Sequence, residues 1–365
     1  MTLTAPAPCP PADNLELPAT MRALVKHRAG EGLTLDAARP RPTVGPLDVL
    51  IRVKKAGICG TDRHIWQWDE WAAGRIPVGI VTGHEVAGEV AAVGEAVKTV
   101  EVGQRVSAEG HITAGLDYNS RTGNAHIARD TKILGVDRDG VFAEYVCVPE
   151  TNVWPIHPDI SDRIAATFDP LGNAVHTVMS ADVSAKSVLI SGVGIIGLMA
   201  VTVAKAAGAA RIYCTDINPA RLGLARKLGA DEAFNSAEGS EWMRTVRNET
   251  RGEGVDVLLE MSGAPQAMDE GFRTLRNGGT AALLGLPARS VDFDFNANII
   301  FKGCTVLGIN GRRMWETWYQ MEDLLLSGRL KLDEIITHSF PMADYEKAFD
   351  TMISGDGIKV LMDID

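Results

Sequence analysis

The chain has 365 residues, enough for two or three cores, and with 45% hydrophobic and 23% charged residues it has the make-up of an ordinary globular protein rather than a disordered or membrane-spanning one. A formal charge of −11 and the lack of a basic stripe argue against nucleic acid as a partner, and no apolar run is long enough to cross a bilayer. The five cysteines, at 9, 59, 147, 214 and 304, are scattered and odd in number, so they predict free thiols in a reducing cytoplasm rather than a disulfide framework.

Residues 1–20 are rich in Pro and Ala and lack the basic start and apolar core of a secretory signal, so they read as a disordered extension. Short β-rich runs follow at 21–25, 49–53, 85–93, 105–108 and 142–148, punctuated by Gly and Pro. Strands so closely spaced, with no helix between them, predict an antiparallel β domain. From Ser187 the pattern changes to apolar strands at 188–191, 211–216, 255–260 and 280–284, alternating with helical stretches at 197–207, 219–228 and 265–274. That alternation predicts a doubly wound parallel sheet. An amphipathic helix over 315–326 and closing segments at 335–340 and 359–364 return to the first domain. The expected fold is α/β, with a β catalytic domain from 21–173 and 314–365 and a Rossmann domain from 174–313.

Gly192-Val-Gly194-Ile195-Ile196-Gly197 lies directly after an apolar strand and directly before a helix. There Gly192 permits the tight turn, Gly194 lets backbone approach a pyrophosphate, Gly197 lets helix and strand pack, and the helix N-terminus, with Ile196, attracts the anion. Asp216 ends the next strand, where a carboxylate accepts from ribose hydroxyls and repels a 2′-phosphate. This favours NAD over NADP, although Arg221 close by could stack on adenine or tolerate a phosphate. Ser262 and Leu284 fall at the ends of later strands, where a nicotinamide would lie.

Cys59, the pair His84-Glu85, and Asp169 form a candidate metal set, since thiolate, imidazole and carboxylate all suit zinc. Cys59 sits between Gly57 and Gly60 and reads as a loop thiol, unlike Cys147, Cys214 and Cys304, which lie in strand-like apolar runs as inert thiols. By spacing alone the set is open to a second reading, in which His84 and Glu85 are surface residues and Cys59 a core thiol. Thr61 and His64, three residues apart, could pass a proton to solvent, or His64 could be a plain surface histidine. Trp66, Trp68 and Trp71 either wall a pocket or pack a loop onto the core.

Gly57-Ile-Cys59-Gly-Thr61-Asp62-Arg-His64 and Gly83-His84-Glu85-Val-Ala-Gly88 resemble the signature of the zinc-containing medium-chain dehydrogenases and reductases. The resemblance spans residues 21–365 and implies a GroES-like catalytic domain, a Rossmann domain, a catalytic zinc between them and hydride transfer to NAD. It further implies Cys59, His84 and Glu85 as zinc ligands, Asp169 as an acidic fourth ligand in some states, Thr61 and His64 as proton relay, and a homo-oligomer, tetramer or dimer. Strings such as Glu109-Gly-His111-Ile-Thr113, Asp169-Pro-Leu-Gly-Asn173-Ala-Val-His176 and Gly311-Arg312-Arg313-Met-Trp-Glu-Thr-Trp318 are similar to those of the branch that oxidises the secondary alcohol of L-threonine to 2-amino-3-oxobutanoate. His111 would then line the substrate pocket or serve a structural role, and the Arg312 fork could grip an amino-acid carboxylate or be solvated in a turn. The family commonly holds a second, structural zinc on four cysteines, but this chain has Ala114, Asp117, Ser120 and Ala128 at those positions, so one zinc per chain is expected. A polyol, sugar or amino-alcohol dehydrogenase and a non-catalytic NAD-binding sensor remain as alternatives.

Overall fold

The computed structural model describes residues 17–364. Most of the expected 1–20 extension, with Cys9, lies outside them. At its end Thr20 already pairs with Pro40, and the Ala19 carbonyl accepts from Arg41 N–H (3.0 Å).

The first half runs β1 (Thr20–Val25), β2 (Thr34–Pro40), β3 (Asp48–Ile58), α1 (Gly60–Gln67), α2 (Glu70–Arg75), β4 (Glu85–Val93), β5 (Arg105–Ala108), β6 (His111–Ile112), α3 (Tyr118–Arg121), β7 (Lys132–Ile133), β8 (Tyr145–Pro149), β9 (Val153–Pro155) and α4 (Asp162–Ala165). Then come α5 (Phe168–Ser180), β10 (Ser187–Ser191), α6 (Ile195–Ala206), β11 (Arg211–Asp216), α7 (Pro219–Leu228), β12 (Glu232–Asn235), α8 (Glu241–Glu249), β13 (Val255–Glu260), α9 (Pro265–Thr274), β14 (Leu275–Leu283) and β15 (Thr305–Gly308). The chain closes with α10 (Glu316–Leu326), β16 (Ile336–Pro341), α11 (Tyr345–Ser354) and β17 (Lys359–Asp363).

The second sheet has six parallel strands in the order β12-β11-β10-β13-β14-β15. Val188, Leu189 and Ile190 of β10 are all buried, as a strand covered on both faces requires. The order reverses about β10, so the Gly-rich turn after it opens at a topological switch point. The other large sheet has the order β16-β17-β3-β4-β5-β9, with β8 also on β3, and is antiparallel except for β16 on β17. The C-terminal β17 pairs with β3 from Val360 opposite Ile58 to Asp363 opposite Lys55, which brings the end of the chain to the strand leading into Cys59.

The expectation of strands without helices in the first domain is corrected by α1 and α2, which stand between β3 and β4. Each is short, and each is stabilised by a side-chain cap, Cys59 for α1 and Asp69 for α2, rather than by a long apolar stripe.

Candidate active site

Cys59, in the connection between β3 and α1, is the N-cap of α1. Its Sγ accepts from Thr61 N–H (3.3 Å), and Asp62 returns the bond by accepting from Cys59 N–H (2.9 Å). This reciprocal capping box satisfies two of the helix's free donors and sets the sulfur on a rigid element. His84 precedes β4, and its Nε2 stands 3.1 Å from Cys59 Sγ. The other ring nitrogen, Nδ1, faces Asp62 Oδ1 at 3.9 Å, and both of those atoms are buried without a hydrogen-bond partner among the described residues. Burial alone would lower the His84 pKa, but the Cys59 and Asp62 charges overcome it and raise it well above the ordinary value. Surroundings that favour a proton on that ring also favour a cation, since both bind the lone pair. Ligand atoms of Cys59, Asp62 and His84 lie within 4.8 Å of one another, as do those of His84, Glu85 and Asp169. The donor set fits zinc in type and spacing.

The acidic residues are more heavily engaged than their sequence positions suggest. Glu85 is buried against Lys359, whose Nζ lies 2.7 Å from one carboxylate oxygen and 2.6 Å from the other. Gly57, opposite Glu85 across β3 and β4, makes room for it, because a Cβ there would come within 2.3 Å of Glu85 Oε2. Asp169, in the first turn of α5, pairs with Arg312. Arg312 is only 1% exposed, and its fork also grips Glu109, with Nε donating to Oε2 at 2.8 Å. The expectation that Arg312 takes a substrate carboxylate or sits solvated in a turn is therefore corrected. Its donors are occupied by two carboxylates of the chain itself. Gly172 on α5 is what lets it pass, since a Cβ there would meet Arg312 Cδ at 2.6 Å.

Glu109 is fully buried and also accepts from Trp318 Nε1 (2.9 Å) and from His111 N–H and Nδ1 (2.9 Å each). Burial pushes its pKa up, but the Arg312 guanidinium, aided by His111, holds it far below the usual carboxylate range. Asp62, Glu109 and Lys359 are the residues that sequence reasoning missed. The Cys-x-x-Asp spacing could have flagged Asp62 as a capping partner. Nothing local marks Lys359, 274 positions from the carboxylate it neutralises.

At the head of the parallel sheet, Gly192 has φ +87°, and a Cβ on it would strike Ser262 at 2.7 Å. A Cβ on Gly197 would come within 2.1 Å of the Gly192 carbonyl, whereas one on Gly194 would meet nothing within 4 Å, leaving an approach open beside the α6 N-terminus. Gly194 caps α6 without a side chain, with Ile196 in the first turn, so the first N–H groups there remain available to an anion. Asp216 accepts from Val193 N–H (2.8 Å) and Asn218 N–H (2.9 Å), which fixes its carboxylate against the glycine turn. Arg221 sits half-buried in the first turn of α7. Ser262 and Leu284 both bond to Glu260 at the end of β13, through Glu260 Oε1 for Ser262 N–H (3.0 Å) and the Glu260 carbonyl for Leu284 N–H (2.9 Å).

Residues 45–158 match the alcohol dehydrogenase GroES-like domain and residues 196–327 match the zinc-binding dehydrogenase family. The chain is 48% identical to an L-threonine 3-dehydrogenase of Symbiobacterium thermophilum over 94% of its own length and 97% of that protein's. It is 49% identical to one of Alteromonas mediterranea, over 94% and 99%. The chain belongs to the zinc-containing medium-chain dehydrogenases. Among solved structures, a zinc-binding dehydrogenase of Sinorhizobium meliloti bound to NADP superposes with a TM-score of 0.85 at 26% identity, over 95% of this chain and 100% of that one. This dehydrogenase accordingly uses zinc and a nicotinamide cofactor and acts on a small-molecule alcohol. Among the described residues no helix is long and apolar enough to cross a membrane.

In the dehydrogenase, Thr61 lies in the first turn of α1 and His64 stands in its last turn, exposed, with Nδ1 2.5 Å from Asp69 Oδ2. Asp69 also caps α2 through Ala72 N–H (3.0 Å), so one carboxylate ties both helices to the histidine. The three tryptophans part ways: Trp66 stacks on Phe349 in the core, Trp68 ends α1 in the left-handed region, and Trp71 meets His64 edge-on at 6.0 Å.

The lobe after His111 is held by carboxylates. Asp117 accepts from Ser120 N–H (2.8 Å) and Arg129 N–H (3.1 Å), and Asp130 from Thr113 Oγ1 (2.5 Å) and Ala114 N–H (2.9 Å). His126 beneath it packs edge-on against His176 at 5.4 Å. Burial, helped by His176 and Arg313, draws its pKa down to about 4, so it is neutral at physiological pH. The thiols of Cys147, Cys214 and Cys304 are all pushed up by burial, which makes them poor nucleophiles.

Proposed function

We propose that the dehydrogenase oxidises the 3-hydroxyl of L-threonine with NAD, giving 2-amino-3-oxobutanoate, NADH and a proton, with one zinc per chain and no structural second one. The observation that carries this reading is the meeting of Cys59 Sγ and His84 Nε2, 3.1 Å apart, at the base of a helix that also bears Thr61 and His64. Threonine as substrate is supported by the near-full-length relatives named for that reaction. Cys59 and His84 would hold the metal, with Asp169 or Glu85 as the acidic partner, and Asp62 would orient His84 through Nδ1. Bound there, zinc supplies the Lewis acidity that lowers the pKa of the substrate hydroxyl.

The chain's own residues handle the proton and the orientation. NAD held at the Gly192–Gly197 turn would supply the hydride acceptor for C3, and the hydroxyl proton leaves through the Thr61 hydroxyl to His64 and on to solvent. Asp69 steadies the His64 ring, and His111, held by Glu109, lines the pocket. Asp216 disfavours a 2′-phosphate, which supports NAD over NADP. Residues 21–173 with 314–365 form the catalytic domain and 174–313 the dinucleotide domain, in a homo-oligomer of two or four chains.

The test is NADH formation by zinc-loaded enzyme with L-threonine, 2,3-butanediol and several polyols, against NAD and NADP, repeated with Cys59→Ser. L-threonine with NAD is expected to lead, and Cys59→Ser to lose both zinc and turnover. Turnover of a polyol but not of L-threonine overturns the substrate assignment.

A further inference from the structure

Lys26 follows β1 and is completely buried, yet among the described residues it has no carboxylate partner. Its ammonium sits in a cage of backbone carbonyls: Gly30 (2.5 Å), Gly32 (2.9 Å), Ile65 (2.6 Å) and Trp66 (3.5 Å). The Trp68 ring closes the cage, its centroid 4.8 Å from Nζ. A buried cation among neutral groups is costly, and it persists only where donors, dipole and ring together replace its water. Burial is the main influence on it and draws its pKa down to about 8, with Arg28 acting the same way and Glu31 opposing, so the group is still mostly charged at neutral pH.

What this cage holds is the end of α1. The last four carbonyls of a helix have no partner within it, and a cation there also meets the negative end of the helix dipole. Ile65 and Trp66 are two of those four, and they directly follow His64. The Trp66 carbonyl also accepts from Gly32 N–H (2.8 Å), where φ of +89° turns the loop inward. The last turn of the helix that carries the relay histidine is therefore anchored by one side chain from a different part of the chain.

We propose that Lys26 is a positioning residue of the proton relay, clamping the C-terminal turn of α1 so that His64 stays in line with Thr61 and Asp69. This rests on the relay reading of Thr61 and His64. Without the clamp the turn is free to shift, and a displacement of about 1 Å at a relay group can cost up to about 100-fold in turnover.

The test is a double-mutant cycle on the zinc-loaded enzyme with Lys26→Met, His64→Ala and the double variant, reading kcat, KM and rescue by added imidazole. Expected are a fall in kcat of about tenfold or more for Lys26→Met with little change in KM, partial recovery with imidazole, and a double variant no slower than His64→Ala alone. A merely structural role predicts additive losses without rescue, and that result overturns the proposal. If His64→Ala itself leaves kcat unchanged, the relay reading fails and Lys26 loses its proposed task with it. If His64→Ala slows turnover while Lys26→Met does not, only the Lys26 proposal is refuted. Should Lys26→Met not fold, Lys26→Gln, which removes the charge and leaves donors for only part of the cage, takes its place in the cycle, with a smaller fall in kcat expected and the same imidazole rescue and non-additivity with His64→Ala; an unchanged kcat in Lys26→Gln overturns the proposal.

Discussion

Glu109→Gln tests the buried charge network most directly. In the native chain one carboxylate with no exposure accepts from Arg312, Trp318 and both donors of His111, while Arg312, 1% exposed, also reaches Asp169. A carboxamide of the same shape offers one acceptor oxygen and turns an NH2 toward groups that are themselves donors. Removing one partner from a buried ion pair leaves a charge uncompensated, at about 3–5 kcal/mol. Retention of Asp169 beside Arg312 places the expected loss toward the lower end of that range. The sign with pH follows from the depressed Glu109 pKa: its contribution is complete above the unfolded carboxylate value, about 4.3, and is lost only as pH falls through the lower folded value. The gap between wild type and variant in urea unfolding should thus be constant from about pH 6 upward and narrow only in strong acid. A variant as stable as wild type at pH 7, or a gap that closes already near pH 6, would refute the placement of Glu109 as the ionised centre of the network.

Two further outcomes are expected. Asp216→Ser should raise the KM for NAD and narrow the preference over NADP, as read from kcat/KM with each cofactor, because the carboxylate that rejects a 2′-phosphate is gone. An unchanged ratio would count against that role. In the lobe, Asp117 and Asp130 have lowered pKa values, chiefly from the Ser120 hydrogen bonds to Asp117 and the Thr113 hydrogen bond to Asp130. Their staples are complete above the unfolded aspartate value, about 3.9, and weaken as pH falls through the lower folded values. Limited proteolysis within 114–130 should rise in acid and in Asp117→Asn with Asp130→Asn, and should not respond to a chelator at neutral pH; a chelator-sensitive lobe would mean a metal holds it.

How much was legible in the sequence differs from element to element. The strands 85–93, 105–108, 211–216 and 255–260 and the helices 219–228 and 265–274 stand where periodicity put them, because each is long or apolar enough to declare itself. The helix α1 was not legible: its apolar content is small, and it exists because a cysteine and an aspartate cap it and a distant lysine closes it. The same limit applied to Arg312. Two arginines after a strand look solvated from sequence, and only the fold could show that a glycine in α5 admits one of them to Glu109 and Asp169.

By itself, then, the sequence determined the two-domain α/β plan, the glycine turn with its acidic partner, and the residue types able to hold a metal, since these depend on local periodicity and on spacings of a few residues. Tertiary structure alone decided which carboxylates are neutralised and by whom: Glu85 by Lys359, Glu109 and Asp169 by Arg312. The reason is electrostatic. A charge buried in a core must find its counter-charge wherever the fold brings one, and those partners are separated by 143 to 274 positions in the chain, far beyond the reach of any local pattern.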